Sequence, residues 1–213
     1  MEEIGLTNIP NVYSQMDQWN SVMFLYDSAL KAIRTKIEIL NGEFVHIYGH
    51  TPIEHIKSRL KTPDSIVKKL KRDGLEVTID NMVEKLSDIA GIRIICSFTQ
   101  DIYQIAEMIA RQKDVSVLYV KDYIQQPKNS GYRSLHLIVE IPIYFQGEMQ
   151  WIRAEIQLRT TAMDFWAGVD HQLRYKKGKK EAVLIGKELK EYSQAVAELD
   201  RKMVELRERI DAI

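Results

Sequence analysis

From Leu135 to Arg159 the chain alternates apolar and polar residues with a period of two, a pattern that only extended strands with one buried face satisfy. Leu135, Leu137, Val139, Ile141 and Ile143 fall on one side, and Ser134, His136, Ile138 and Glu140 on the other. Gln146-Gly147 reads as a hairpin turn. Beyond it, Met149 to Arg159 repeats the pattern, with Ile152, Ala154, Ile156 and Leu158 opposite Arg153, Glu155, Gln157 and Arg159. Ile92 to Phe98, after Ala90-Gly91, and Val115 to Ile124 are further strand-length runs, with a helix expected between them over Ile102 to Arg111.

Two helical patterns bracket this β-rich region. Trp19, Met23, Tyr26, Leu30, Ile33, Ile37 and Leu40 recur at spacings of four and three, and Asn41-Gly42 supplies a stop signal, so a helix is expected over 14–41. Leu189, Tyr192, Val196, Leu199, Met203, Leu206 and Ile210 form a second seam within 181–213. The seams either pack within the molecule or also form a subunit interface. The order helix, strand, helix, strand, helix, three strands and two helices predicts an α+β fold. Its mixed or antiparallel sheet has about five strands and is flanked by helices. One domain over 1–213 is expected, because no linker or repeat interrupts the chain.

Composition narrows the function classes. Thirty basic residues balance 30 acidic ones, so no global field favours DNA or a membrane surface, and nothing indicates RNA binding. No apolar stretch approaches the roughly 20 residues that cross a bilayer. MEEIGLTNIP lacks the pattern of a secretory leader, and a single cysteine, Cys96, suits a reducing cytoplasm. Any anion site must be a local concentration of charge.

Lys57, Arg59, Lys61, Lys68, Lys69, Lys71 and Arg72 face Asp64 alone. An extended Ile56 to Lys61 would project Lys57, Arg59 and Lys61 from one face. Thr62-Pro63-Asp64-Ser65 reads as a helix start, with Thr62 as cap. That start, with Ser65 and Lys69 one turn apart, predicts a polyphosphate site. Asp88 and Glu155, each on or beside a strand, suit Mg²⁺, or they form ion pairs with Arg93 and with Arg153 or Arg159 respectively. In Lys128-Asn129-Ser130-Gly131-Tyr132-Arg133-Ser134-Leu135-His136, Tyr132 is either a base platform or packing, with His136 on its face. Neither G-x-x-x-x-G-K-[ST] nor G-x-G-x-x-G occurs, and the histidines lack metal-pair spacing. Lys176 to Lys180 is expected to be a loop.

Four segments in order resemble the RelA/SpoT synthetase domain: Ser58-Arg59-Leu60-Lys61 with Ser65 to Lys69, Asp88 to Ile94, Gly131 to Ser134 with His136, and Glu155 to Thr160. The resemblance covers the core, 53–175, and is closest to the stand-alone small alarmone synthetases of the RelP type. It implies a nucleotidyltransferase-like synthetase domain that moves the β,γ-diphosphate of ATP onto the ribose 3′-hydroxyl of GDP or GTP, releasing AMP and making (p)ppGpp. It further implies that Arg59 and Arg93 clamp adenine and that Lys61, Ser65 and Lys69 hold the ATP phosphates. Asp88 and Glu155 would hold Mg²⁺, with Glu155 also the base. Tyr132 would stack on guanine, Lys121, Lys128 and His136 would hold acceptor phosphates, and Gln157 would orient the acceptor.

Asp164 stands where the family often has Asn, and a carboxylate can accept from both guanine N1–H and the N2 amine. No His-x-x-His-Asp signature precedes these motifs, so synthesis without hydrolysis is expected. The resemblance also implies a homotetramer built through the terminal helices. The rivals are a nucleotidyltransferase that releases pyrophosphate and a nucleotide-binding or RNA-binding regulator without turnover.

Overall fold

The period-two segment forms the centre of the sheet. The computed structural model describes the backbone of residues 9–175 and 179–212, and the side chains of residues 16–173 and 184–212. The first eight residues and Lys176 to Gly178, the start of the expected loop, lie outside the described residues. Five strands, β1 (Ile53–Leu60), β2 (Ala90–Cys96), β3 (Ser116–Asp122), β4 (Leu135–Phe145) and β5 (Glu148–Thr160), form one sheet in the order β1-β2-β5-β4-β3. β2 and β5 run parallel and the other pairs antiparallel. The sheet is therefore mixed, and the fold is α+β as expected. The β4–β5 turn is the predicted pair, Gln146 and Gly147, both at positive φ (53° and 84°), as a two-residue hairpin of matching twist requires.

One face of the sheet is apolar. Ile92, Ile94, Leu135, Leu137, Val139, Ala154, Ile156 and Leu158 are buried there together with residues of α1 (Ile9–Tyr48) and α4 (Thr99–Ala110). Each fully buried aliphatic side chain contributes roughly 1.5–3 kcal/mol. The first helix runs well past the expected 14–41. Asn41-Gly42 does not stop it, because Phe44 is completely buried one turn further on, and that burial outweighs the roughly 1 kcal/mol cost of a mid-helix glycine. Gly49, at φ +74°, ends the helix, its N–H donating to the Val45 carbonyl at 2.9 Å.

α2 (Pro63–Arg72) begins where predicted, but the Thr62 side chain does not cap it. Its hydroxyl donates to Ser65 Oγ at 2.8 Å, while the Thr62 carbonyl accepts from the Ser65 and Ile66 amides. α3 (Ile79–Lys85) has no counterpart in the sequence reading. Its signal was Thr78 three residues ahead of Asn81, whose amide donates to the Thr78 hydroxyl at 3.1 Å.

α5 (Thr161–Tyr175) and α6 (Lys179–Asp211) close the chain, so α6 replaces the expected span 181–213. The two terminal seams differ in fate. Tyr26, Leu30, Ile33, Ile37 and Leu40 of α1 are buried, whereas Leu199, Met203, Leu206 and Ile210 of α6 are exposed. Leu189 is buried and its carbonyl accepts from Trp166 Nε1 at 2.7 Å, while Ser193 donates to the Gly131 carbonyl. Gly131 is required there: at φ +94°, an added Cβ would lie 2.8 Å from Ser193 Cβ.

Further along α6, Arg207 Nη1 donates to Asp101 Oδ1 at 2.9 Å, and the Asp101 side chain is 0% exposed. Breaking such a pair leaves an uncompensated buried charge. Arg207→Met keeps the packing stem and removes the charge, and is expected to cost about 3 kcal/mol of unfolding free energy in urea titration.

Candidate active site

The other sheet face is polar, and the strand register assembles it in rows. Lys57, Arg93, Gln157, His136 and Lys121 lie side by side across all five strands. The next row is Arg59, Gly91, Glu155, Ile138 and Tyr119. Gly91 has no side chain to fill the space between Arg59 and Glu155. A cleft of about 400 Å³ opens there, lined by Arg59, Lys61, Ser65, Asp88, Arg93 and Glu155 among others. Beside it is a wider hollow of about 800 Å³. Lys57, Arg59 and Arg93 border both hollows, and Tyr132, Arg159 and Asp164 line the second.

Neither ion pairing considered for the carboxylates forms. Asp88, just ahead of β2, accepts from Lys61 Nζ at 2.5 Å, and its other oxygen lies 2.8 Å from Lys69 Nζ. Burial pushes this carboxyl up, but the two ammonium groups outweigh burial and hold it below its ordinary value. Glu155 accepts from His136 Nδ1 at 2.9 Å and from Gln157 Nε2 at 2.8 Å. Burial raises it too, and these hydrogen bonds again bring it below its usual value. Arg153 pairs instead with Glu140 at 3.1 Å, and Arg93 with Asp164 at 3.1 Å. Both carboxylates are thus ionised at neutral pH. The two lysines on Asp88 are free to turn to an incoming anion, whereas His136 and Gln157 hold Glu155 in place.

Most predicted residues converge. Arg59, Lys61, Ser65, Asp88, Arg93, Glu155 and Gln157 share the first cleft, and Lys69 reaches it through Asp88. Tyr132 and Asp164 share the second. Tyr132 precedes β4, yet its hydroxyl lies 2.8 Å from His136 Nε2, and Lys128 Nζ lies 5.0 Å from its ring centre. Lys121 stays apart: it shares the His136 row but is exposed on β3, lies over the Tyr119 ring and lines neither hollow. An edge strand leaves a long side chain free to follow the nearest ring.

Asp164 Oδ1 accepts from Arg93 Nη1 and Arg159 Nη1, each at 3.1 Å, while Oδ2 lies 3.7 Å from Lys57 Nζ. Two residues escaped sequence reading as site members. Tyr123 stands edge-on to Tyr132 and His136 with Lys128 over its ring, and nothing in its sequence neighbourhood marked it. Arg159 was visible as the last polar residue of the β5 alternation, but was weighed only as a partner for Glu155.

Six cations, Lys57, Arg59, Lys61, Lys69, Arg93 and Arg159, stand against four carboxylates, Asp88, Glu155, Asp164 and Asp170, so the site is cationic although the chain is neutral. This is a place for polyanions beside an aromatic platform. Among the described residues no group of three or more His, Cys, Asp or Glu could hold a metal by itself. The Asp88 and Glu155 pair fits an ion that arrives with phosphate ligands of its own.

Known proteins share this arrangement of segments. The family described as a region found in RelA / SpoT proteins matches residues 58–180. GTP pyrophosphokinase YwaC of Bacillus subtilis (strain 168) is 43% identical over 209 residues, 98% of this chain and 100% of that protein. The crystal structure of the small alarmone synthetase 2 from Bacillus subtilis aligns with a TM-score of 0.79 at 42% identity, covering 90% of this chain and 98% of its own. The small alarmone synthetase 1 from the same organism, bound to its product pppGpp, aligns at a TM-score of 0.81 and 34% identity, covering 91% and 98%. The matched segment holds the residues named in both hollows except Lys57, and the fold is shared over nine-tenths of the chain. The chain belongs to the RelA/SpoT family.

Proposed function

We propose that the protein is a GTP pyrophosphokinase, transferring the β,γ-diphosphate of ATP to the ribose 3′-hydroxyl of GDP or GTP to make (p)ppGpp. The observation that carries this reading is the pair of adjoining hollows, cationic along their shared border, with Glu155 lining the first. One hollow suits a donor triphosphate and the other a guanine nucleotide against Tyr132. The relatives named GTP pyrophosphokinase and the pppGpp-bound structure support it.

In this reading Arg59 and Arg93 flank adenine, and Lys61, Ser65 and Lys69 take the ATP phosphates. Lys61 and Lys69 sit on Asp88 at 2.5 and 2.8 Å, poised to turn from that carboxylate to the incoming phosphates. Asp88 and Glu155 would hold Mg²⁺, which would neutralise charge on the transferred group. The acceptor 3′-oxygen attacks the β-phosphorus, the bond from that phosphorus to the α,β-bridging oxygen breaks, and AMP leaves. Glu155 takes the 3′-hydroxyl proton. The two lysines and the amides at the α2 start stabilise charge on the moving diphosphate and the leaving AMP. Tyr132 stacks on guanine, Asp164 Oδ2 accepts from its Watson–Crick edge, Gln157 orients the acceptor, and Lys128, over the Tyr132 ring, attracts its phosphates.

The exposed α6 seam of Leu199, Met203, Leu206 and Ile210 supports a homotetramer built through the terminal helices. No helix among the described residues is long and apolar enough to cross a membrane. With the unpaired, buried Cys96, that favours the cytoplasm, where the nucleotides are.

Incubation with ATP, Mg²⁺ and GDP, followed by anion-exchange chromatography, is expected to show AMP in step with a more highly charged guanosine product. Pyrophosphate release would instead mark a nucleotidyltransferase, and unchanged nucleotides a binding protein. Glu155→Gln keeps the shape but loses the base and is expected to reduce turnover at least about 100-fold. Asp164→Ala is expected to lower the preference for guanine over adenine acceptors by about tenfold or more, read from competing acceptors. A Leu199→Glu, Leu206→Glu double variant is expected to lower the mass seen by light scattering while circular dichroism stays unchanged.

A further inference from the structure

We infer that Arg159 is the positioning residue that aims the base, acting through two hydrogen-bond branches that both end on Glu155. The inference rests on the proposed diphosphate transfer and extends it to a residue without an assigned role in it. Arg159 is 4% exposed, at the end of β5. Its Nη2 donates to Tyr132 Oη at 2.6 Å and to Gln157 Oε1 at 3.3 Å, while Nη1 donates to Asp164 at 3.1 Å. A loop, a strand and a helix thus converge on one guanidinium. Only a planar fork with several donors reaches three such acceptors together.

The direction of each branch follows from what the groups can do. Arginine can only donate, and an ionised carboxylate can only accept. On the first branch, Tyr132 Oη accepts from Arg159, and in the tautomer that leaves His136 Nε2 unprotonated the phenol donates to that nitrogen, 2.8 Å away. His136 then carries its proton on Nδ1 and donates to Glu155 Oε1 at 2.9 Å. On the second, Gln157 Oε1 faces Arg159, which turns its amide nitrogen to Glu155 Oε2 at 2.8 Å. With a neutral His136 ring, Arg159 is the donor end and Glu155 the acceptor end of a closed ring in which the three residues between take a single consistent orientation. Both carboxylate oxygens are thus held by neighbouring donors while Glu155 lines the cleft. A base fixed in place at the cleft wall is what an incoming 3′-hydroxyl needs to meet.

The test is steady-state kinetics on the full-length protein with ATP and GDP each varied, for wild type, Arg159→Met, Arg159→Lys and Tyr132→Phe, alongside thermal melting. Arg159→Met is expected to lower kcat about 100-fold and raise the GDP KM, because Asp164 loses a holder, while the ATP KM stays within about twofold. Arg159→Lys, which retains a donor for one branch, is expected to recover about tenfold of that kcat. Tyr132→Phe keeps the ring for stacking but cuts the first branch, and is expected to lower kcat about tenfold with the GDP KM nearly unchanged.

A kcat for Tyr132→Phe equal to wild type would overturn the inference. So would equal losses in Arg159→Lys and Arg159→Met that track their melting temperatures, which would make Arg159 core support. Failure of the underlying reading would look different, since wild type itself would then release no AMP, and both would fall.

Discussion

The polar face of β5 is the constraint from which the rest follows. β5 lies in the middle of the sheet, parallel to β2 and antiparallel to β4, so its polar side chains are walled in by neighbours on both sides. Glu155, Gln157 and Arg159 cannot reach open water freely, and a half-buried charge without a partner costs several kcal/mol. The molecule meets that cost with one connected network. His136 and Gln157 donate to Glu155, and Tyr132 and Asp164 accept from the two terminal nitrogens of Arg159. The apolar face of the same strand, Ala154, Ile156 and Leu158, sits in the core beside α1. Packing on one side holds the polar side still.

A second consequence concerns charge. A chain of zero net charge builds a cationic cleft by bringing the basic residues of β1 and α2 against β2 and β5, where fewer carboxylates than cations line the two hollows. The lysines are held on Asp88, and Arg93 on Asp164, so the cations have partners that water alone would not provide. In the proposed reaction each pairing would be exchanged for a phosphate or a base. The same geometry places the two hollows against a shared border, which the proposed transfer between two nucleotides needs.

Much of the fold was legible because it follows local rules. Period two in Leu135 to Arg159, with Gln146-Gly147 between, has no other solution, and the apolar repeat of α1 marks its buried stripe. Reading failed where tertiary burial outweighed a local signal. Asn41-Gly42 looks like a helix end, but Phe44 finds the core one turn later and the helix continues to Tyr48. Seven residues of α3 are too few for a clear period. Of the two similar seams one is largely buried and the other is exposed from Leu199 onward, because a seven-residue rhythm records only that a helix has an apolar stripe, not what covers it. In the site, the residue types were readable but the pairings were not. Asp88 was matched to its near neighbour Arg93, and its partners are Lys61 and Lys69, from β1's end and α2.

The sequence by itself determined the strand alternation, the helix stripes, the basic run at Lys57 to Arg72 and the four segments that mark the family. All of these are properties of residues near one another along the chain. Only the tertiary structure decided which groups face which. Strand order and register set the Lys57, Arg93, Gln157, His136, Lys121 row, and they brought Arg159 to Tyr132 across 27 positions. The physical reason is that hydrogen bonds and ion pairs act over a few ångströms. The partner of a buried polar group is therefore chosen by how sheets and helices pack, which no local spacing records.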